Sequence, residues 1–313
     1  MKEILNIDCF QWLAERKPQT LHSVCTDPPY GLVEFSSHEI GKLRKGRGGV
    51  WRIPPEFDGK KRKPLPRFSV LTLAQRRTLE KYFTHWGKLL LPALVPGAHV
   101  LVASNPVLSS HVFHGLLEAG LEPRGSIMRV YHGFRGGDRP KNAEREFPDL
   151  CVSPRGNYEP WLLFRKPLSE KTVAQNLRKW GAGALKMLGG NRPIPDVIPS
   201  TKTPRLEKQL ADHPSLKPQR LLRLFCRMLM PRPGVLLDPF MGSGSTIAAC
   251  EVVQVESIGL ELDPRYFSLA ETAIPQLAAL YPHERGERID TEPVVSALAD
   301  PAQLLLLEGL EKT

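Results

Sequence analysis

Six short apolar runs, separated by stretches of helical spacing, constrain this chain more than any other feature of its sequence. They are LHSVCTD (21–27), AHVLVAS (98–104), SIMRVY (126–131), PWLLFRK (160–166), GVLLDPF (234–240) and SIGLELD (257–263). Each has strand length and is rich in β-branched, aliphatic or aromatic residues. Between several of them lie helix-like segments: LTLAQRRTLEKYFTHWGKLL (71–90), SSHVFHGLLEAG (109–120) and TIAACEVV (246–253). Thr72 is placed to cap the first of these. Strands alternating with helices predict an α/β architecture, a mostly parallel sheet covered on both faces. With 313 residues, 41% of them hydrophobic, the chain can fill such a core and carry additions to it.

Two segments break the alternation. Residues 32–70 are rich in glycine, proline and basic side chains. Residues 167–219 begin with a helix-like stretch and continue into a proline-rich run unsuited to a central strand or a long helix. Both read as insertions. Net charge is +10, and between Lys42 and Arg67 ten basic residues face two acids. So dense a basic segment suits a polyanionic partner. The last thirty residues reverse the sign, with seven acids and three bases. No apolar run is long enough to span a membrane, and the N-terminus lacks the blocks of a signal peptide, so a soluble, cytoplasmic protein is expected. The five cysteines are scattered, odd in number and form no CxxC pair, which argues against a disulfide framework or a zinc site.

In GVLLDPFMGSGST a buried strand runs through Asp238, Pro239 and Phe240 into Gly242, Ser243 and Gly244, and Thr246 opens a helix. Strand, glycine turn and helix let the backbone approach a bound nucleotide. No lysine follows the glycines, so this is not a phosphate loop, and Ile247 stands where a dinucleotide fingerprint places its third glycine. A ligand with an amino-acid tail fits better. Glu261 follows the loop by about 20 residues, where an acid accepts hydrogen bonds from ribose hydroxyls. Adenosine plus an amino-acid tail describes S-adenosylmethionine.

At the end of the first apolar run stands Asp27-Pro28-Pro29-Tyr30. The carboxyl end of a strand is the edge at which open α/β sheets bind ligands. The proline pair prevents a helix from starting there and makes the Pro28 carbonyl a rigid acceptor. Tyr30 offers a face on which a planar base can stack. An exocyclic amine is a poor nucleophile because its lone pair is delocalised into the ring. Two acceptors, the Asp27 carboxylate and the Pro28 carbonyl, would bind its two N–H groups and free that lone pair, a gain of positioning and electrostatics.

Together these residues resemble the amino-directed DNA methyltransferases, which methylate adenine N6 or cytosine N4. With DPPY first and the cofactor loop far downstream, the order is that of the family's permuted β-group. NIDCF (6–10) resembles the motif that lines the cofactor's adenine and offers Asp8, Cys9 and Phe10. HPSLKPQRLL (213–222) resembles the HPxxKP motif, which would put His213, Ser215 and Lys217 near the methionine end. NYEPWLLFRKP (157–167) is similar to the late strand before the target-recognition segment. The resemblance spans residues 6–272. It implies a permuted Rossmann-like methyltransferase fold with a seven-stranded, mostly parallel sheet and a reversed hairpin. A catalytic half at 1–166 would carry the basic insertion at 32–70. A target-recognition segment (167–212), a cofactor-binding half (213–282) and an acidic tail (283–313) would follow.

The implied cofactor is S-adenosylmethionine, held by Asp8, Cys9, Phe10, His213, Ser215, Lys217, Asp238, Pro239, Phe240, Gly242, Ser243, Gly244, Ser245, Thr246, Glu261 and Leu262. No metal is expected. The implied partner is double-stranded DNA, with the target base extruded from the stack, and a homodimer is a further expectation. Candidate DNA contacts are Lys42, Arg44, Lys45, Arg47, Lys60, Lys61, Arg62 and Lys63, then Arg135, Arg139 and Lys141, then Arg178 and Lys179. The acid-led tetrad favours adenine N6, with cytosine N4 as the alternative. A C5-cytosine mechanism needs a nucleophilic cysteine, usually after proline, and no cysteine here follows one. RNA or protein methyltransferases with a similar tetrad generally carry the cofactor loop first.

Overall fold

The computed structural model describes residues 2–29, 56–57, 60–61, 72–135, 140, 143, 145–154, 156–189, 191–213 and 215–286. Tyr30, most of the basic insertion, Arg139, Lys141 and the tail beyond residue 286 lie outside these, as do the side chains of Lys60, Lys61 and Arg135.

The strands are β1 (Lys2–Asn6), β2 (Leu21–Thr26), β3 (Glu56–Phe57), β4 (Lys60–Lys61), β5 (Leu94–Ala103), β6 (Glu122–Arg135), β7 (Gly156–Arg165), β8 (Val197–Pro199), β9 (Val235–Asp238) and β10 (Glu256–Glu261). Among the described residues β3 and β4 pair only with each other, inside the basic insertion. The rest form one sheet in the order β1-β10-β9-β2-β5-β7-β6-β8. β7 is antiparallel to both its neighbours, and every other pairing in the sheet is parallel. The sheet thus has eight strands rather than the expected seven. The additional one, β8, comes from the proline-rich insertion. It is three residues long and takes an outer position, where Pro199 is tolerated because an edge strand has no second neighbour to donate to.

Helices α1 (Cys9–Glu15), α2 (Leu73–Ala93), α3 (Ser109–Glu118), α4 (Val173–Trp180), α5 (Arg205–Leu210), α6 (Gln219–Leu229), α7 (Ser245–Val252) and α8 (Pro264–Ala279) complete the fold. α2 packs against α1 and α3, whereas α7 packs against α6 and α8, which gives one layer on each face of the sheet. The longest helix, α2, starts at Thr72 as the sequence predicts. The Thr72 hydroxyl accepts from the Gln75 N–H at 3.2 Å while the Gln75 side chain accepts from the Thr72 N–H at 2.8 Å. Leu79, Phe83, Trp86 and Leu90 share its buried face. Each such burial stabilises by about 1.5–3 kcal/mol. Trp161 and Phe225, 4.9 Å apart, occupy the opposite layer. All ten residues of β5 are buried, as expected of a strand covered on both faces.

Parallel strands bring their carboxyl ends to one edge. Along β1, β10, β9 and β2 that edge carries Asp8, Glu261, Asp238 and Asp27 in order. β9 leads on to β10 on one side and β2 to β5 on the other. The chain therefore switches direction between β9 and β2, where open α/β sheets bind ligands.

Candidate active site

Asp27 follows β2 directly, and Asp238 ends the neighbouring β9. The two ends are tied by the Thr26 hydroxyl, which donates to Asp238 Oδ1 at 2.7 Å. Burial pushes the Asp238 carboxyl up to about 6, against hydrogen bonds from Thr246, Thr26 and the Phe240 N–H. Its second task is to shape the turn, because Oδ1 also accepts from the Phe240 N–H at 3.2 Å.

Beyond Pro239 the chain makes its glycine turn, with Gly242 at φ 53° and Gly244 at φ 80°, both left-handed. A Cβ on Gly242 would stand 2.9 Å from His213 Nε2, and one on Gly244 would stand 2.4 Å from Ile274 Cγ1 in α8. A side chain at Gly242 would press on His213, and one at Gly244 on the packing against α8. Glu261 braces the turn from β10: one carboxylate oxygen accepts from the Gly242 N–H at 2.9 Å and the other from the Asp263 N–H at 2.8 Å. Burial raises its carboxyl above the ordinary range. Asn6, at the end of β1, donates to the carbonyls of Glu261 and Leu262 at 2.8 and 3.2 Å.

A pocket opens at this edge. It gathers residues far apart in sequence: Asp27; His213, Ser215 and Lys217; and Asp238, Phe240, Gly242, Ser243, Ser245 and Thr246. Trp161, Leu216, Leu222 and Met241 complete its lining. Gly244 lies behind the turn, against α8. Pro28 is buried and Pro29 half-buried. Asp8, Cys9 and Phe10 sit beyond the end of β1. There Asp8 caps α1 by accepting from the Phe10 N–H at 2.7 Å, and the Phe10 ring stacks on His85 with centroids 5.4 Å apart. Leu262 is exposed beside Glu261.

The structure does not bring Arg178 and Lys179 to this edge. Their helix, α4, is anchored at the start of β5, where the Asn176 amide donates to the Pro96 carbonyl at 2.8 Å. Lys179 pairs there with Glu170 at 2.6 Å.

The catalytic-edge geometry centres on Asp27. Ser215 Oγ donates to Asp27 Oδ2 at 2.5 Å, and the Lys217 ammonium donates to the same oxygen. Lys217 also meets Glu159 Oε1 at 3.4 Å, and Glu159 Oε2 accepts from Arg129 Nη1 and Trp161 Nε1, each at 3.1 Å. Burial alone would raise the Glu159 carboxyl. Lys217 and Arg129 outweigh it and hold the group below its ordinary value. The side chains of both Glu159 and Arg129 are 5% exposed, and removing one partner from a pair so buried costs about 3–5 kcal/mol. Sequence reasoning missed both residues. Their signal was a charge within or next to an apolar run, Arg129 inside SIMRVY and Glu159 just before PWLLFRK.

His213 is stacked edge-on against Tyr266 with centroids 4.5 Å apart, and its Nδ1 accepts from the Ser215 N–H at 3.2 Å. Burial lowers its pKa to about 4. The ring is therefore neutral at pH 7 with its proton on Nε2, which faces the glycine turn.

A family model described as DNA methylase, for the N6 and N4 enzymes, matches residues 21–272. The chain belongs to this DNA methylase family. Among curated relatives, the Type II methyltransferase M2.DpnII of Streptococcus pneumoniae is 19% identical over 268 residues, 85% of this chain and 87% of the relative. Among solved structures, the M1.HpyAVI–SAM complex is 18% identical with a TM-score of 0.53, covering 88% of this chain and 99% of that one. The PvuII DNA methyltransferase, described as cytosine-N4-specific, is 13% identical with a TM-score of 0.56 and covers 92% of this chain and 93% of its own. At such identities the structures speak to fold.

The cofactor of the DNA methylase is S-adenosylmethionine, and its residues fit that molecule. Ser243 Oγ, in the pocket wall, is buried and has no hydrogen-bond partner among the described residues. Each Glu261 oxygen holds one N–H and keeps capacity for a ribose hydroxyl. No helix among the described residues is long and apolar enough to cross a membrane.

Proposed function

We propose that this DNA methylase transfers a methyl group to the exocyclic N6 of adenine in duplex DNA, after the target base has left the stack. One observation carries the reading: an aspartate, Asp27, leads the tetrad and is held at the pocket by Ser215 and Lys217, one strand away from the glycine turn. An acid at that position accepts a hydrogen bond from an amine more strongly than a neutral group does. When bound, S-adenosylmethionine supplies an electrophilic methyl group on its sulfonium.

The chain's residues do the rest. Glu261 and Asp8 would hold the adenosine end of the cofactor, and Asp238, Ser243 and His213 its amino-acid end. Asp27 and the Pro28 carbonyl accept the two N–H groups of the target amine, and Tyr30 stacks on the extruded base. Oriented in this way, the amine's lone pair would be free to take up that methyl in exchange for the bond to sulfur, and one amine proton would leave by way of Asp27 to solvent. The catalytic gain is one of orientation and electrostatics. The basic insertion and the part of the 167–212 segment beyond α4 are assigned to DNA contact, and the Type II names of the relatives support a restriction–modification setting.

Incubation of the protein with mixed-sequence duplex DNA and methyl-labelled cofactor, followed by digestion to nucleosides and mass analysis, tests the reading. N6-methyladenine is expected. N4-methylcytosine would retain the mechanism and replace the substrate, and label in neither would overturn both.

A further inference from the structure

Beneath the pocket runs a line of four charges of alternating sign: Asp27, Lys217, Glu159 and Arg129. Arg129 and Glu159 are register partners on the adjacent strands β6 and β7, so backbone pairing itself brings them together. Both Glu159 oxygens are engaged, Oε1 by Lys217 and Oε2 by Arg129 and Trp161. Arg129 is fixed in turn: its Nε donates to Ser200 Oγ at 3.1 Å and its Nη2 to the Thr201 carbonyl at 2.8 Å. Such a line is an expensive way to fill a core, since apolar side chains of similar volume would serve stability as well. Its geometry has a different consequence. The Lys217 ammonium donates to Asp27 and to Ser215 Oγ, the latter at 3.0 Å, and also meets Glu159, so its charge does not rest wholly on Asp27.

We propose that Glu159, held by Arg129, is a positioning residue for methyl transfer: it draws part of the Lys217 charge away from Asp27 and fixes the angle at which that ammonium meets the carboxylate. The inference rests on Asp27 being the acceptor of the target amine. Shared in this way, Lys217 keeps Asp27 oriented without cancelling the negative charge that the amine must feel. Loss of Glu159 removes the second carboxylate that Lys217 meets and leaves more of its charge to Asp27, which turns the carboxylate and weakens it as an acceptor. The far end of the line is fastened to Ser200 and Thr201, just beyond β8, so the seating of that edge strand and the aim of Asp27 are mechanically joined.

The test compares single-turnover methyl transfer and calorimetric cofactor affinity for the full-length wild type, Glu159→Gln, Glu159→Gln with Arg129→Met, and Asp27→Ala. Glu159→Gln is expected to slow transfer about 100-fold, the scale of a misplaced catalytic group, with cofactor affinity changed by less than about threefold. The double variant removes the guanidinium left unpaired by the first change. It serves where the single variant folds poorly, and its transfer rate is expected to stay low. Wild-type transfer by Glu159→Gln, or recovery of the rate in the double variant, would reduce Glu159 to charge balance and overturn the proposal. Asp27→Ala separates the two levels. If it transfers at the wild-type rate, the underlying reading falls. If it is inactive while Glu159→Gln is fully active, only the positioning role falls.

Discussion

Asp238 and His213 face one pocket and titrate with opposite consequences. The folded chain holds the Asp238 proton up to about 6 against an ordinary value of 3.8, a difference that costs the folded state about 3 kcal/mol once the group is ionised. The folded state thus binds this proton before the unfolded state does, and Asp238 adds stability as pH falls through that window. His213 is lowered from 6.5 to about 4, so the unfolded chain binds its proton first and stability is lost as pH falls between those values. The two largely offset each other in the wild type. In Asp238→Asn only the histidine contribution remains, and urea-unfolding stability should fall more steeply between pH 6 and 4.5 than in the wild type. Parallel pH profiles for the two proteins would contradict the burial argument.

At the scale of elements, the glycine turn between β9 and α7 is held by close packing. At Gly244 the backbone is left-handed and a Cβ would stand 2.4 Å from Ile274, so Gly244→Ala should destabilise by about 1–3 kcal/mol. A lower urea midpoint at an unchanged slope would show it, and an unshifted midpoint would mean that α8 gives way freely. This turn, the DPPY strand end and the HPSLKP segment were all legible in sequence, because each writes its function locally. The Glu159–Arg129 pair was not, since it exists only through register between two strands and the motif match named neither residue. Helix α6 escaped for another reason. Its polar residues, Gln219, Arg220, Arg223 and Arg227, do recur at helical spacing, but the segment follows a proline-rich run and reads in sequence only as part of the HPSLKP motif, although Gln219 and Arg223 are themselves buried. Arg223 is inside because it caps the end of α8, donating to the carbonyls of Leu280 at 2.6 Å and Tyr281 at 2.8 Å. β8 was masked by its prolines, and β1 by being a short, half-exposed edge strand.

The whole molecule pairs a cofactor pocket with a basic insertion proposed to meet DNA. S-adenosylmethionine at 100 times its dissociation constant should stabilise the fold by about 2.7 kcal/mol, read as a raised melting temperature. No shift at saturation would remove the pocket from the cofactor. Changing Lys60, Lys61, Arg62 and Lys63 to alanine should weaken DNA binding and lower the slope of log affinity against log salt by up to about 0.9 for each phosphate no longer neutralised. An unchanged slope would take that stretch of the insertion off the DNA. The central claim is that Asp27 acts on the target amine and not on the cofactor. It is tested most directly by single-turnover transfer in Asp27→Ala at saturating S-adenosylmethionine, with cofactor affinity measured on the same sample. The predicted result is a loss of about 1,000-fold or more in transfer with affinity changed by less than about threefold. Equal loss of both, or transfer at the wild-type rate, would contradict it.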